Sequence, residues 1–93
     1  MKIIYTGRAK FETESAFSWY ERQRPGLGFE FLDCLEVAIR HIISFPESCQ
    51  VVHSCFRRCV IRRFPFSIFF TIEAEGIVVH AVFDNRQDPK KLP

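Results

Sequence analysis

Residues 25–46, PGLGFEFLDCLEVAIRHIISFP, decide the fold. Phe31, Leu35, Ala38 and Ile42 recur at steps of four, three and four, with Leu32 and Ile39 alongside. That spacing draws one apolar stripe down a helix from near Gly28 to about Ser44. Glu30, Asp33, Glu36 and Arg40 lie mostly off the stripe, and Cys34 reads as a small hydrophobe within the helix. Pro46 closes the helix, and Pro25-Gly26 closes whatever precedes it. Upstream, Arg8 to Arg24 contains neither Gly nor Pro and brings Ala9, Ala16, Trp19 and Tyr20 round at helical spacing. Thr6 suits its N-cap. Glu12 and Glu14 early, with Arg22 and Arg24 late, complement the helix dipole. So short a connection between the two helices predicts an antiparallel hairpin.

Outside the hairpin the period is two. Lys2 to Tyr5 reads as a first strand. Val51-Val52 and Cys55-Phe56 surround His53 in a short strand, and Arg57 to Arg63 forms the next. Phe66 to Glu73 follows, bounded by Pro65 and a turn at Glu75-Gly76, and then Ile77 to Phe83. Asp84-Asn85 and Asp88-Pro89 end that last strand, and Lys90 to Pro93 reads as a frayed tail. The order predicts an α+β fold, β-α-α-β-β-β(-β), with an antiparallel twisted sheet and the hairpin packed on one face. Residues 1–93 make one domain.

A chain of 93 residues that is 47% hydrophobic, with eleven phenylalanines, is too apolar to be disordered. It is also richer in apolar side chains than so small a domain comfortably buries, which points to a covering partner. Phe11, Phe17, Phe29 and Phe45 by the helices, and Phe69 on the sheet, are the side chains expected to remain uncovered. The charged start from Met1 to Lys10 is not a signal peptide, and no run is long enough to span a membrane, so a cytoplasmic protein with reduced cysteines is expected. Cys49, Cys55 and Cys59, with His53, lack the paired spacing of zinc knuckles, and no metal or cofactor is expected.

The net charge of +2 conceals an asymmetry. Arg57, Arg58, Arg62 and Arg63 cluster in a stretch with no acidic residue between Glu47 and Glu73, while the helical half carries most of the acids. Strand alternation puts Arg57 and Arg63 on one side and Arg58 and Arg62 on the other. Two readings stand side by side: a solvated face paired to Glu73, Glu75 or Asp84, or an anion-binding surface.

Several segments together resemble a known family. These are Ala9-x-x-Glu12-x-x-x-Ala16-x-x-Trp19-Tyr20-Glu21, then Pro25-Gly26-Leu27-Gly28-x-Glu30-Phe31-Leu32, Arg62-Arg63-Phe64-Pro65-Phe66, and Ala81-Val82-Phe83-Asp84-x-Arg86-x-Asp88-Pro89. In order and spacing the chain resembles the ParE/RelE superfamily, the toxins of bacterial type II toxin–antitoxin modules, also called plasmid stabilisation proteins. The resemblance implies a growth-arresting toxin, a cognate antitoxin that wraps a segment around it, and a homodimer within a toxin–antitoxin complex as one arrangement. It also implies one of two mechanisms: RelE-like cleavage of mRNA on the ribosome, or ParE-like inhibition of DNA gyrase without enzymatic chemistry.

Cleavage of RNA needs a general base, a general acid and cations. Cations are plentiful, but no tyrosine follows Tyr20 and no lysine lies between Lys10 and Lys90, where RelE-like enzymes commonly carry such groups. The candidates for an RNase are His80, Arg63, Arg86 and Asp84; alternation groups His80 with Val78 and Val82. The departures favour the ParE-like branch, with an inactive toxin-like interaction domain as a third reading. For binding of antitoxin or target, the candidates are Arg57, Arg58, Arg62, Arg63, Phe69 and Arg86.

Overall fold

A computed structural model describes residues 2–93. The chain runs β1 (Ile3–Tyr5), α1 (Gly7–Gln23), α2 (Leu27–Ser44), β2 (Gln50–His53), β3 (Phe56–Val60), β4 (Phe66–Glu73) and β5 (Gly76–Asp84). Short 3-10 turns at Pro46–Ser48 and Pro89–Lys91 complete it. The α+β class and the helical hairpin are as expected. The sheet order is β1-β5-β4-β3-β2. β2 to β5 form the antiparallel meander, and β1 adds a parallel pair at the β5 edge, with Ile3 opposite Ile77. Among the described residues, no helix is long and apolar enough to cross a membrane.

Local chemistry explains the helix ends. The Thr6 hydroxyl accepts from the Ala9 N–H at 3.1 Å, the N-cap expected of it. Gly26, at φ 91°, makes the left-handed turn between the helices. Gly28 lets the helices touch: a Cβ there would lie 2.6 Å from the Phe17 carbonyl oxygen. Its N–H donates to the Glu21 carboxylate at 2.8 Å.

The hairpin covers one face of the sheet. Phe31, Leu35, Ala38, Ile39 and Ile42 of α2 meet Ile68, Phe70, Ile77, Val79 and Val82 in the core. Its densest part is aromatic. Tyr20 stacks on Phe31 at 5.6 Å, and Phe64 and Phe66 close around them edge-on, at 4.9 Å from Tyr20 and 5.1 Å from Phe31 respectively.

β5 is irregular at its middle. Phe69 pairs with Ala81 and Phe70 with Val79, which leaves His80 as the extra residue of a β-bulge. The bulge reverses the alternation: Ile77, Val79 and Val82 join the main core, whereas Ala81 and Phe83 fall on the opposite face with Phe69. His80 therefore does not share a face with Val82, as plain alternation expects. Beyond the end of β1, α1 completes the edge of β5. The Thr6 N–H donates to the Val79 carbonyl at 3.1 Å, and the Glu12 carboxylate accepts from the Val82 N–H at 3.0 Å.

The arginine-rich strand is shorter than expected. β3 ends at Val60, and Arg62 and Arg63 lie in a bend where Arg63 takes φ 72°. Alternation therefore stops before these two arginines. The expected strand around His53 is likewise split: β2 ends there, and Ser54-Cys55 form the turn into β3. The tail is not frayed. Arg8 donates to the Lys91 carbonyl, and His53 to the Pro93 oxygen at 3.0 Å.

Candidate partner-binding surface

The six candidate binding residues occupy five different settings. Arg57 points to the helix side, where its guanidinium donates to the carbonyls of Cys49 at 2.8 Å and Glu47 at 3.3 Å. It ties the turn before β2 to β3. Arg58 lies on the open face, donating to Ser67 Oγ at 2.9 Å, and Ser67 in turn donates to Asn85 Oδ1. Phe69 is not left on the surface: only 4% exposed, it packs edge-on to Phe83 at 5.9 Å, with the Arg58 guanidinium 6.0 Å over its ring. Arg63 donates to Glu30 at 2.7 Å, and Arg24 binds the other oxygen of the same carboxylate at 2.9 Å. These hydrogen bonds, first that from Arg63, hold the Glu30 carboxyl below its usual range. Arg62 is exposed and has no ion pair among the described residues.

Arg86 and Asp84 form a bidentate pair, with both bonds at 2.9 Å. The guanidinium, chiefly by these hydrogen bonds, holds Asp84 below the ordinary carboxylate range. Tyr20 lies beside them, its phenol pushed up by burial. The pair lines a groove of about 510 Å³ along α1, together with Arg8, Glu12, Phe11 and Trp19. Sequence reasoning missed this meeting of α1 with the end of β5, because no local pattern links Tyr20 to Arg86.

His80 sits on the open face. Thr71 donates its proton to Glu73 at 2.6 Å, so the Thr71 oxygen accepts from His80 Nε2 at 2.9 Å. Phe56 packs edge-on against the His80 ring at 5.0 Å, and His53 stacks on Phe56 at 5.1 Å. The RNase candidates are thus scattered: His80 on the open face, Asp84 and Arg86 by α1, Arg63 against α2. The structure does not bring them together.

A second groove, of about 500 Å³, runs between α2 and the end of β3. Cys34, Val37, Ala38 and His41 form one wall; Cys59, Val60, Arg62 and Arg63 form the other. Burial, then neighbouring Cys49, pushes the Cys59 thiol up to about 12, so it stays neutral. All four cysteines are free, and among the described residues no three His, Cys, Asp or Glu side chains converge to hold a metal.

The sequence elements that suggested a family now have a common place. Glu21 of the Trp19-Tyr20-Glu21 element binds the Gly28 N–H of Gly26-Leu27-Gly28, and Tyr20 packs on Phe64 of Arg62-Arg63-Phe64-Pro65. They form the joint between α1, α2 and the β3–β4 connection. Residues 3–89 match the family model of the ParE toxin of type II toxin–antitoxin systems, parDE. The chain therefore belongs to the ParE toxin family. Its fold is similar to a solved structure of the chromosomal ParDE toxin–antitoxin system from P. aeruginosa, with a TM-score of 0.79 over 90% of this chain and 95% of that one, at 14% identity. Comparison with curated protein sequences finds no match.

Proposed function

We propose that this protein is the growth-arresting member of a two-protein module, that a cognate antitoxin neutralises it, and that it acts by binding DNA gyrase rather than by cutting RNA. Membership of the ParE family and the fold shared with a ParDE system support the module and its antitoxin. The observation that carries the choice of mechanism is the state of the candidate acid–base groups. Asp84 and Arg86 neutralise each other, Glu30 holds Arg63, and His80 Nε2 is committed to Thr71. A transphosphorylation site needs its base, acid and cation around one phosphate, and these groups lie on three separate surfaces. Of the candidate binding arginines, Arg62 makes neither an ion pair nor a side-chain hydrogen bond among the described residues, whereas Arg58 donates to Ser67.

Expression of the chain alone in a bacterium, followed by gyrase supercoiling assays on the purified protein, tests the proposal. Growth arrest and loss of supercoiling are expected, and both persist in His80→Ala. Ribosome-dependent cleavage of mRNA that disappears in His80→Ala would replace this mechanism with the RelE-like one. Unimpeded growth in the presence of folded protein would remove the toxin reading altogether.

A further inference from the structure

Two of the four free cysteines face each other. β2 and β3 pair antiparallel, with Gln50 opposite Arg58 and Val51 opposite Arg57. One step outward from Gln50, the same register sets Cys49 opposite Cys59. Both lie on the helix side of the sheet: Cys49 belongs to the main core, and Cys59 packs against it. Their thiols are hydrogen-bonded to each other. Opposite residues of an antiparallel pair have Cα atoms about 4.5–5.5 Å apart, inside the span of about 4.4–6.8 Å that a disulfide bridges. Arg57 fixes the backbone of Cys49 by donating to its carbonyl at 2.8 Å.

Access separates the two thiols. Cys59 lines the open groove between α2 and β3, whereas Cys49 is only 7% exposed and does not line it. Cys34 stands on the α2 wall of that groove, its thiol hydrogen-bonded with the Arg63 guanidinium. Cys55 is exposed in the turn at the other end of the β2–β3 hairpin. A small molecule in the groove therefore meets Cys59, and Cys49 is the thiol held against it.

We propose that Cys49 and Cys59 form a redox-reversible dithiol, which hydrogen peroxide oxidises to an intramolecular disulfide that locks edge strand β2 onto β3. The Cys59 thiolate attacks one peroxide oxygen and the O–O bond breaks, leaving a sulfenic acid; the released hydroxide takes up the thiol proton as water. Cys49 gives up its proton and displaces hydroxide from the Cys59 sulfur, so the S–S bond forms and a second water leaves. Two thiols lose two electrons and two protons, and the peroxide takes up both. Burial and neighbouring Cys49 keep the Cys59 thiol neutral, so the first step is slow at neutral pH and the pair withstands brief exposure. β2 pairs with β3 alone, and all four of its residues are exposed. A covalent tie at the open end of the hairpin therefore suppresses its local opening.

The test treats purified Cys55→Ser, which lacks the exposed turn thiol, with hydrogen peroxide and digests it with trypsin without reduction. Cleavage at arginine parts the two cysteines, so the expected product is residues 41–57 joined to residues 59–62. Two thiols are lost, the protein gains no intermolecular bridge, and dithiothreitol restores both. Cys34→Ala in the same background oxidises alike, whereas Cys59→Ala forms no bridge. Amide exchange across β2 slows by about tenfold in the oxidised protein. A bridge to Cys34, a bridge between two chains, sulfinic acid without a bridge, or survival of every thiol under conditions that oxidise Cys55 in the wild type would overturn the dithiol. Unchanged exchange in β2 of the bridged protein would overturn the locking of that strand.

Discussion

Asp84 illustrates how single side chains are committed here. Its two oxygens accept from Arg86 Nε and Nη2, and one of them also accepts from the Arg86 backbone N–H at 2.9 Å. The folded state therefore favours the carboxylate, and the Asp84 pKa is lowered. A depressed carboxyl contributes stability above its unfolded value, about 4, and loses it as pH falls through the lower folded value. Asp84→Asn is expected to lower stability at neutral pH by about 0.5–1 kcal/mol, since Arg86 is exposed. The gap should close as pH falls through the lowered Asp84 value. Urea unfolding at a series of pH values measures this, and a gap that persists in acid would rule the ionised carboxyl out as its source. At this scale the sequence showed where Thr6 would cap, because its partner is three residues away. It did not show that Arg57 would be spent on backbone carbonyls.

At the scale of elements, β5 depends on α1. β1 is only three residues long, so it cannot satisfy the whole edge of a nine-residue strand. The Glu12 carboxylate takes the place of a strand carbonyl at the Val82 N–H while also binding Arg8. Glu12→Ala leaves that amide without its partner, and a loss of about 1–3 kcal/mol is expected. Amide exchange at Val82 should accelerate selectively; unchanged protection there would show that another group fills the role. The helices were legible, since their stripes repeat over many turns. The ends of the strands were less so. The bulge at His80 and the left-handed Arg63 each break a period of two within a single residue, and nothing in the alternation announces either break.

For the whole molecule, the surplus of aromatic side chains divides in two. Tyr20, Phe31, Phe64 and Phe66 close the core where both helices meet the β3–β4 connection. Phe31 is fully buried, and Phe31→Ala is expected to cost about 3–5 kcal/mol. In a domain with a total of about 5–15 kcal/mol that is a substantial share, and thermal denaturation should show a clearly lowered midpoint. A melting temperature near that of wild type would mean the joint repacks around the void. Phe11, Phe29 and Phe45 remain outside, more than half exposed, as expected of them. Phe69 does not, because the face opposite the helices builds a small cluster of its own.

Local pattern by itself determined the order of elements, the hairpin, its caps and the motifs at its joint, since each rests on neighbours a few positions apart. Tertiary structure alone decided which cations remain free. Arg63 is neutralised by Glu30, Arg86 turns to Asp84 beside Tyr20, and the tail is held by Arg8 and His53. Most of these contacts join residues far apart in the chain, and no periodicity records them. Arg62, one of four arginines in a seven-residue stretch, is left unpaired beside an apolar groove for that reason.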